Sequence, residues 1–356
     1  MRLFEIHLLG SYSCARLAVQ QAERFIADGG EVYFYVFRQD LGDFLSPLEK
    51  DRVHVIRISE VKKPRLFHPM TWISCRRDLR SLRQTHFDSW RDADVFAYNT
   101  GFSLSEMTAL ATLSSKNRVT VVPCDGRFTD PRMKGRAKGW KARVYAGLLG
   151  WITGIPIEMA PWPAPVIKES FLRTHCVKVL DAPIPDQRIE EGPCMRRLRR
   201  STTAEVIWFH EDFVRYYGEK RVCPDVFRKN MEMMVQEVSR HVPRHRQAVK
   251  VHPGDTQPLP SCFEGMEELE RVVPSEFYEF PNIRLVIAAA SCAMQPFLQQ
   301  EKMGVISNLY LLGGDESVLG EGKRLLKERL DVEGRAATPK SIEQFGEMIR
   351  SALIRK

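Results

Sequence analysis

The sequence predicts an α/β protein built from two doubly wound halves. Three observations lead to this prediction: a length of 356 residues, strand-like segments that alternate with helical ones, and one stretch near the middle where the alternation stops. A chain of this length exceeds one ordinary hydrophobic core, so two domains of about 150 to 170 residues are expected. Strands that alternate with helices favour a mostly parallel sheet covered on both faces.

The first half opens as a β-α-β unit. Residues 3–9 and 31–37 are rich in aromatic and β-branched residues, as strands are, and the segment between them has apolar residues at helical spacing before a Gly-Gly stop. The alternation continues through VHVIRIS, ADVFAYN, a helix over residues 104–114 and RVTVV. Glu5 and His7 interrupt the apolar start, which makes it a poor secretory signal and a good buried strand.

The second half repeats the pattern after a break. Residues 177–203 are rich in Pro, Arg and acidic residues without clear periodicity, and they are interpreted as a linker between domains 1–176 and 204–356. EVIWFHE, QAVKVHP and IRLVIAA are predicted strands, and residues 266–270 a helix. The closing helix is predicted over residues 341–354, and whether it crosses back to the first domain is left open. Two such halves place a cleft between the carboxyl ends of both sheets.

The composition is that of a folded protein from a reducing compartment. Hydrophobic residues make up 44% of the chain and charged residues 28%, the usual globular balance. The eight cysteines are scattered without a C-x-x-C pair, which argues against a disulfide scaffold and a structural zinc site. No apolar run reaches the roughly 18 residues that a bilayer span needs. We therefore expect a cytoplasmic protein, either soluble or peripheral on the inner face of the membrane.

The surplus of positive charge favours anionic partners. The formal net charge is +8, which suits nucleic acid, acidic lipid or a phosphorylated sugar. One basic block runs from Arg127 to Arg143 and adjoins the apolar residues 146–157. This arrangement is typical of an interfacial membrane contact, and a solvated basic helix followed by a core helix fits it equally well. Specific nucleic-acid binding is disfavoured, because helix-turn-helix, zinc and RNP patterns are absent.

The first candidate for chemistry is the motif Pro123-Cys124-Asp125-Gly126, directly after the predicted strand VTVV. An Asp at the end of a strand can project into the cleft, and the following Gly permits a tight turn behind it. Such a carboxylate can take a proton from an attacking hydroxyl. Taken alone, the motif is more often an ordinary Asp-Gly turn.

Further candidates follow strands of the second half. His252 precedes Pro253, which restricts its backbone to extended geometry, and its imidazole can donate to a phosphate oxygen. Lys250, two residues earlier, shares the face of His252 if the strand alternation holds and can add charge to the same site, although a solvated strand lysine is the more usual case. Ser291 closes the strand IRLVIAA, where its hydroxyl can reach a phosphate or cap a helix. Glu276 can accept hydrogen bonds from ribose hydroxyls or a base, although a solvated loop carboxylate is the commoner case.

Other nucleotide and metal patterns are missing from the sequence. Neither G-x-G-x-x-G nor a P-loop occurs, which weakens the dehydrogenase and NTPase interpretations. The Asp-x-Asp sequence Asp92-Ala93-Asp94 opens a predicted strand. That is the wrong end of a strand for a divalent ion at the cleft.

The order of the motifs resembles the bacterial sialyltransferases and polysialyltransferases of the GT-B fold. Those families have an acidic-Asp-Gly motif, a His-Pro motif and a Ser motif in this order, and the likeness covers roughly residues 119–292. Residues 205–220 also resemble the strand and loop that open their nucleotide domain. Two positions depart from the pattern: Cys124 stands where a carboxylate is usual, and Ser291 is followed by Cys292, not by a second Ser or Thr.

The resemblance implies an α/β GT-B fold with two Rossmann-like domains that face each other across a cleft. It implies an inverting, metal-independent glycosyltransferase that moves a nonulosonic (sialic-type) acid sugar from a CMP-sugar donor to a glycan acceptor of surface polysaccharide or lipooligosaccharide. Asp125 would be the general base and His252 would assist the leaving group. Pro253, Glu276 and Ser291 would complete the nucleotide site. No cofactor is expected, because CMP carries one phosphate that protein groups can balance.

Several alternatives remain open at this point. The acceptor, an anionic or lipid-linked glycan, would bind the N-terminal domain, and the donor could instead be CMP-Kdo. A UDP- or GDP-sugar enzyme or an epimerase of the same fold is the nearest rival, and nucleotide preference would separate it. A non-catalytic glycan-binding protein belongs to another class, and it would tolerate replacement of Asp125.

Overall fold

Two units of the chain each contain one parallel β-sheet. The computed structural model describes residues 3–50, 52–98, 103–122, 139–159, 165–176, 178–179, 192–252, 255, 257–300, 303–327 and 334–354. Unit 1 comprises Met1–Leu198 and unit 2 comprises Arg199–Lys356. The segment interpreted as a linker, residues 177–203, has short regular elements in both units.

The described strands and helices of unit 1 follow one another in the predicted alternation. The strands are β1 Phe4–Leu9, β2 Glu31–Val36, β3 Val53–Arg57, β4 Asp94–Ala97, β5 Arg118–Val121, β6 Ile157–Met159, β7 Pro165–Ile167 and β8 Lys178–Val179. The helices are α1 Ala15–Ala27, α2 Gln39–Leu45, α3 Pro69–His86, α4 Leu104–Ser114, α5 Trp140–Thr153, α6 Glu169–His175 and α7 Pro193–Leu198. β6 and β7 form a small antiparallel pair.

The main sheet of unit 1 has the order β3-β2-β1-β4-β5-β8, and its strands run parallel. One face is covered by α3, α4 and α5 through apolar residues that include Ile6, Leu8 and Leu149, and α1 packs on β1 and β2. Alternate side chains of β1 point to opposite faces, so Glu5 and His7 lie together opposite Ile6 and Leu8. The parallel sheet therefore has helices on both faces, as the alternation predicts.

The first strand contains a buried polar row. His7 is fully buried, its Nε2 lies 2.8 Å from a carboxylate oxygen of Glu5, and its Nδ1 lies 2.9 Å from the hydroxyl of Tyr98. Each polar group in the row thus has a hydrogen-bond partner, which removes most of the cost of burial. A strand that contains Glu and His can for this reason occupy the centre of a sheet.

Unit 2 has a second parallel sheet, with the order β12-β11-β10-β14-β15. The strands of the unit are β9 Arg200–Ser201, β10 Val206–His210, β11 Gln247–Val251, β12 Glu267–Glu268, β13 Tyr278–Glu279, β14 Leu285–Ala288 and β15 Gly304–Ser307. The helices are α8 Phe213–Tyr217, α9 Pro224–Ser239, α10 Gln295–Leu298, α11 Glu316–Leu325 and α12 Ile342–Ile354.

Apolar clusters cover both faces of this sheet. Val206, Trp208 and Val249 face a cluster that includes residues of α9 and α12, whereas Ile207 and Phe209 face a cluster that includes residues of α10. The central strands β10 and β14 are therefore apolar along most of their length, as expected for strands buried on both sides. The predicted fold class, α/β with two Rossmann-like domains, is confirmed.

One local prediction was wrong. The predicted helix at residues 266–270 contains Glu267–Glu268, which pairs in parallel with β11 as the edge strand β12. The segment is rich in helix-forming Glu, but pairing with the backbone of Ala248 and Val249 outweighs that weak local propensity.

Among the described residues, none of the helices combines the length and the apolar character that crossing a bilayer requires.

Candidate functional site

The strand order of each sheet reverses at one point, and that point locates a candidate site. In unit 2 the chain builds outward from β10, first to β11 and β12 on one side and then to β14 and β15 on the other. In open parallel sheets, ligands bind at this reversal, outside the carboxyl ends of the two central strands. Here the central strands are β10 and β14, followed by Glu211 and Ser291.

Glu211 and Ser291 meet at this reversal. The Ser291 side chain hydrogen-bonds the Glu211 carboxylate, and the pKa of Glu211 is raised because burial outweighs that bond. The Ser291 hydroxyl also accepts from the backbone N–H of Ala293 at 3.4 Å, so the serine caps the turn that follows β14 as well. The two residues are 80 positions apart in sequence and are joined only because β10 and β14 are neighbours. A half-buried carboxylate and a hydroxyl thus define the centre of the edge.

His252 lies on the other side of β10. Its backbone N–H donates to the carbonyl of His210 at 3.2 Å, which continues the β10–β11 pairing by one residue. Its Nδ1 lies 2.8 Å from the hydroxyl of Tyr216, on α8. The side chain of His252 is exposed, and the contact with Tyr216 limits its orientation. The structure therefore brings His252 and Ser291 to the same edge of one sheet, on the two strands that flank β10.

A buried carboxylate holds the loop after β11. Only 4% of the Asp255 side chain is exposed, and it accepts hydrogen bonds from Arg215 at 2.8 Å and from the backbone N–H of Gln257 at 3.0 Å. Arg271 donates to the backbone carbonyls of Asp255 and Gln257. Charge-assisted bonds of this kind are roughly twice as strong as neutral ones. They anchor the loop that carries His252 to α8.

Lys250 differs from the sequence expectation. It is 5% exposed, and its ammonium donates to the backbone carbonyls of Val251 and Arg271 at 3.2 and 2.9 Å. Burial lowers its pKa to about 8, with the charge of Glu276 acting in the opposite direction. The expectation of a solvated strand lysine was therefore wrong, because β11 is the second strand of a sheet covered on both faces.

Glu276 is placed on a different element from the other candidates. It is exposed within the 3-10 turn Ser275–Phe277, and the hydroxyl of Ser275 donates to its carboxylate at 3.3 Å. Its charge acts on Lys250, which is on β11. Glu276 thus belongs to the β11 side of the sheet edge, whereas Glu211 belongs to its centre.

A cavity of about 360 Å³ lies beside the carboxyl ends of β10 and β11. Its wall includes His210, Asp212 and Asp255 at the strand ends, and Phe227 and Met231 on α9. The volume lies at the lower end of the usual range for small-ligand pockets. Burial lowers the pKa of His210, which favours its neutral ring, and the imidazole adds a hydrogen-bonding group to a wall that contains both apolar and charged side chains.

Unit 1 has its own reversal of strand order, between β1 and β4. Gly10 follows β1, and Glu106 lies in the first turn of α4 after β4, with its backbone N–H bonded to the Ser103 hydroxyl. Glu106 is 2% exposed. A Cβ on residue 10 would collide with this carboxylate, so a larger residue there would displace the Glu106 side chain. A second buried carboxylate therefore lies at the carboxyl edge of the unit 1 sheet.

Two predicted site residues, Asp125 and Pro253, lie outside the described residues, as do residues 127–138 of the basic block. Within the described part of the chain, no group of three or more His, Cys, Asp or Glu side chains is arranged to hold a metal ion. Glu211 and Glu106 are not among the residues that the sequence motifs indicate. The rule applied to Asp125, a carboxylate directly after a strand, would have found Glu211.

Replacing Glu211 by Gln is expected to raise stability and to weaken ligand binding. The pKa of Glu211 is raised in the folded state. The free energy of unfolding of the wild type therefore falls as pH rises from the ordinary pKa of a glutamate through the raised pKa. Below the ordinary pKa both states are protonated and the variant gains little. Above the raised pKa the gain should reach about 0.5–2 kcal/mol, measured by urea unfolding at several pH values.

The matched control for this experiment is Glu219→Gln, which changes an exposed carboxylate of the same unit. Its stability should follow that of the wild type at each pH. A Glu211→Gln variant that is less stable than the wild type at neutral pH would contradict the prediction that the Glu211 carboxylate destabilises the fold.

Comparisons with known proteins give the fold and no family. No family model and no curated protein matches the chain. Arabidopsis thaliana UGT89C1, solved in complex with UDP-L-rhamnose, is similar over 99% of this chain and 90% of its own, with 7% identity and a TM-score of 0.51. A putative UDP-N-acetylglucosamine 2-epimerase from Listeria monocytogenes matches over 100% and 92%, with 14% identity and a TM-score of 0.39. The Streptomyces sp. SF2575 glycosyltransferase SsfS6 matches over 99% and 95%, with 10% identity and a TM-score of 0.42.

The chain has the GT-B fold. At identities this low the likeness concerns the fold alone, and of these three structures the Arabidopsis one, with a TM-score of 0.51, supports it. Both of the units found here, each with a parallel sheet and a reversal of strand order, are covered by that similarity. The function of the chain is therefore indicated by the residues at its sheet edges.

Proposed function

We propose that this protein is a glycosyltransferase that binds a nucleotide sugar at the carboxyl edge of the unit 2 sheet. The observation that carries the proposal is the Glu211–Ser291 hydrogen bond at the reversal between β10 and β14, with His252 on the opposite side of β10. Hydroxyl, imidazole and carboxylate groups are thus carried by the sheet edge at which such folds bind nucleotides.

The three groups suit different parts of a nucleotide. The hydroxyl of Ser291 and the imidazole of His252 can donate to phosphate oxygens, and donation stabilises the charge that develops on a departing nucleotide. The carboxylate of Glu211 can accept from ribose hydroxyls, as acidic residues do in related nucleotide folds. The Tyr216 hydroxyl contacts Nδ1 of His252, which favours one direction for the other ring nitrogen.

The donor proposed is a CMP-activated acid sugar of the nonulosonic type. The order of the Asp-Gly, His-Pro and Ser motifs supports this choice, with Asp125 as general base, Glu276 as a further nucleotide contact and inversion by single displacement. CMP-Kdo belongs to the same chemical class. With one phosphate to balance, His252 and Ser291 can supply the donors, and no metal is required in the proposed mechanism.

A UDP-sugar is the second candidate donor. It is favoured by the Arabidopsis protein of similar fold, which was solved with UDP-L-rhamnose.

The acceptor is proposed to be an anionic or lipid-linked glycan that binds unit 1 and is used at the cytoplasmic face of a membrane. Membrane contact through residues 127–143 remains a prediction from the sequence.

Nucleotide titration by calorimetry tests the proposal directly. CMP, UDP, GDP and NAD are added in turn to the full chain, first without metal and then with Mg²⁺. Metal-independent binding of CMP that is lost in Ser291→Ala is the expected result. Preference for UDP or GDP would exclude the CMP-sugar donor but would remain consistent with a glycosyltransferase. Binding of none of the four would contradict a nucleotide-sugar enzyme and favour a glycan-binding protein.

A further inference from the structure

Helices α3 and α5 of unit 1 lie side by side and point the same way. Trp72 packs edge-on against Tyr145, with ring centroids 5.6 Å apart. One turn further along α3, the guanidinium of Arg76 lies over the ring of Trp151, 4.2 Å from its centroid. The later contact on α3 is thus made with the later residue of α5, so the two helices run in the same direction. Their N-terminal ends therefore lie beside each other.

The outer surface of this helix pair is unusually apolar. On α5, Trp140, Val144 and Trp151 are 64%, 44% and 61% exposed, and their spacing of four and seven residues places them on one helix face. At the start of α3, Met70 and Ile73 are 74% and 61% exposed. Large exposed side chains that share one surface mark an interaction site, whereas single ones are ordinary.

The same surface carries a strong positive charge. α3 contains four arginines and one acidic residue, and α5 contains Lys141 and Arg143 without any acidic residue. Arg76, Arg77, Arg80 and Arg83 are exposed, and they continue the helix face that begins with Met70 and Ile73. The exposed apolar side chains at the start of α3 are thus followed by basic side chains toward its C-terminal end.

A polar cavity of about 530 Å³ lies among these basic residues. It is lined by Arg76, Arg80, Arg83, Lys116 and Trp151. Among the described residues of its lining, the one acidic side chain is Asp88, which pairs with Arg83 at 3.4 Å, so the lining keeps a surplus of positive charge. Its size and charge suit an anionic headgroup, and the neighbouring Trp side chains suit the boundary between headgroups and acyl chains.

We propose that the outer surface of α3 and α5 docks on a bilayer that contains anionic phospholipid, with Trp140 and Trp151 inserted and the arginines of α3 on the headgroups. The docking surface is distinct from the nucleotide site of unit 2. It does not depend on the proposed glycosyl transfer, and its test uses no sugar. Arg143 ends the basic block predicted from sequence to contact membrane, whereas α3 was not part of that prediction.

Vesicle sedimentation with the full chain tests this docking surface. The protein should bind phosphatidylcholine vesicles that contain phosphatidylglycerol, bind pure phosphatidylcholine far more weakly, and dissociate as salt is raised. Arg77→Gln with Arg80→Gln should weaken binding by about 25-fold, since each basic residue near an anionic surface contributes about fivefold. Trp140→Ser with Trp151→Ser should weaken it by at least roughly 10-fold, because buried apolar area is lost.

The matched control carries Leu3→Ser and Arg173→Glu, which change exposed residues of the same two types elsewhere in unit 1. This control should bind vesicles like the wild type, and all variants should keep the wild-type melting temperature. Equal binding to both lipid mixtures would overturn the proposal. So would a dimer in solution that the Trp substitutions dissociate while vesicle binding is absent, since the surface would then join two copies of the chain.

Discussion

Replacing Asp125 by Asn is expected to lower kcat by about 10²- to 10⁴-fold, the contribution typical of a positioned general base. Asn keeps the size and the turn chemistry of Asp but cannot take the proton of the acceptor hydroxyl. Nucleotide affinity should be unchanged, because the proposed donor site is on unit 2. Steady-state transfer rates together with CMP calorimetry measure the two effects separately.

Two other carboxylates make this experiment specific. Asp92→Asn is the matched control: Asp92 has a positive φ of 57°, which Asn tolerates well, and it lies before β4, at the opposite edge of the sheet. Glu106→Gln tests the buried carboxylate that approaches Gly10. If Asp125→Asn retains full turnover while Glu106→Gln loses it, the base is Glu106 and the Asp-Gly motif is an ordinary turn.

Replacing His252 by Ala is expected to weaken nucleotide binding by roughly 10- to 150-fold, which corresponds to one hydrogen bond to a charged group of about 1.5–3 kcal/mol. The fold should be little affected, because the side chain is exposed and the β10–β11 contact uses the backbone N–H. Calorimetry with CMP measures the affinity, and thermal unfolding checks the fold.

Tyr216 and His245 serve as comparisons for this prediction. Tyr216→Phe removes the hydroxyl that lies 2.8 Å from Nδ1 of His252, so it should weaken binding less than His252→Ala does. His245→Ala changes a histidine in the turn Arg244–Arg246, before β11 and thus at the opposite end of the strand, and should have no effect. Unchanged affinity in His252→Ala would remove this residue from the nucleotide site.

Sequence reasoning predicted the strands at the centre of both sheets well. β1, β2, β10, β11 and β14 all lie within segments predicted as strands, because apolar runs rich in β-branched residues have few alternatives once both faces are covered. It failed at residues 266–270, where the preference of Glu for helix is too weak to resist pairing at the sheet edge. It also failed at Lys250, whose burial depends on β11 being an inner strand.

By itself the sequence determined the alternation of strands and helices, the presence of two units and the position of His252 after a strand. These follow from local periodicity and from chain length, which need no knowledge of distant contacts. Only the tertiary structure decided that Glu211 meets Ser291, that Glu106 is buried against Gly10, and which face of α5 is exposed. Such pairings depend on strand order and helix packing, and therefore on contacts between residues far apart in sequence.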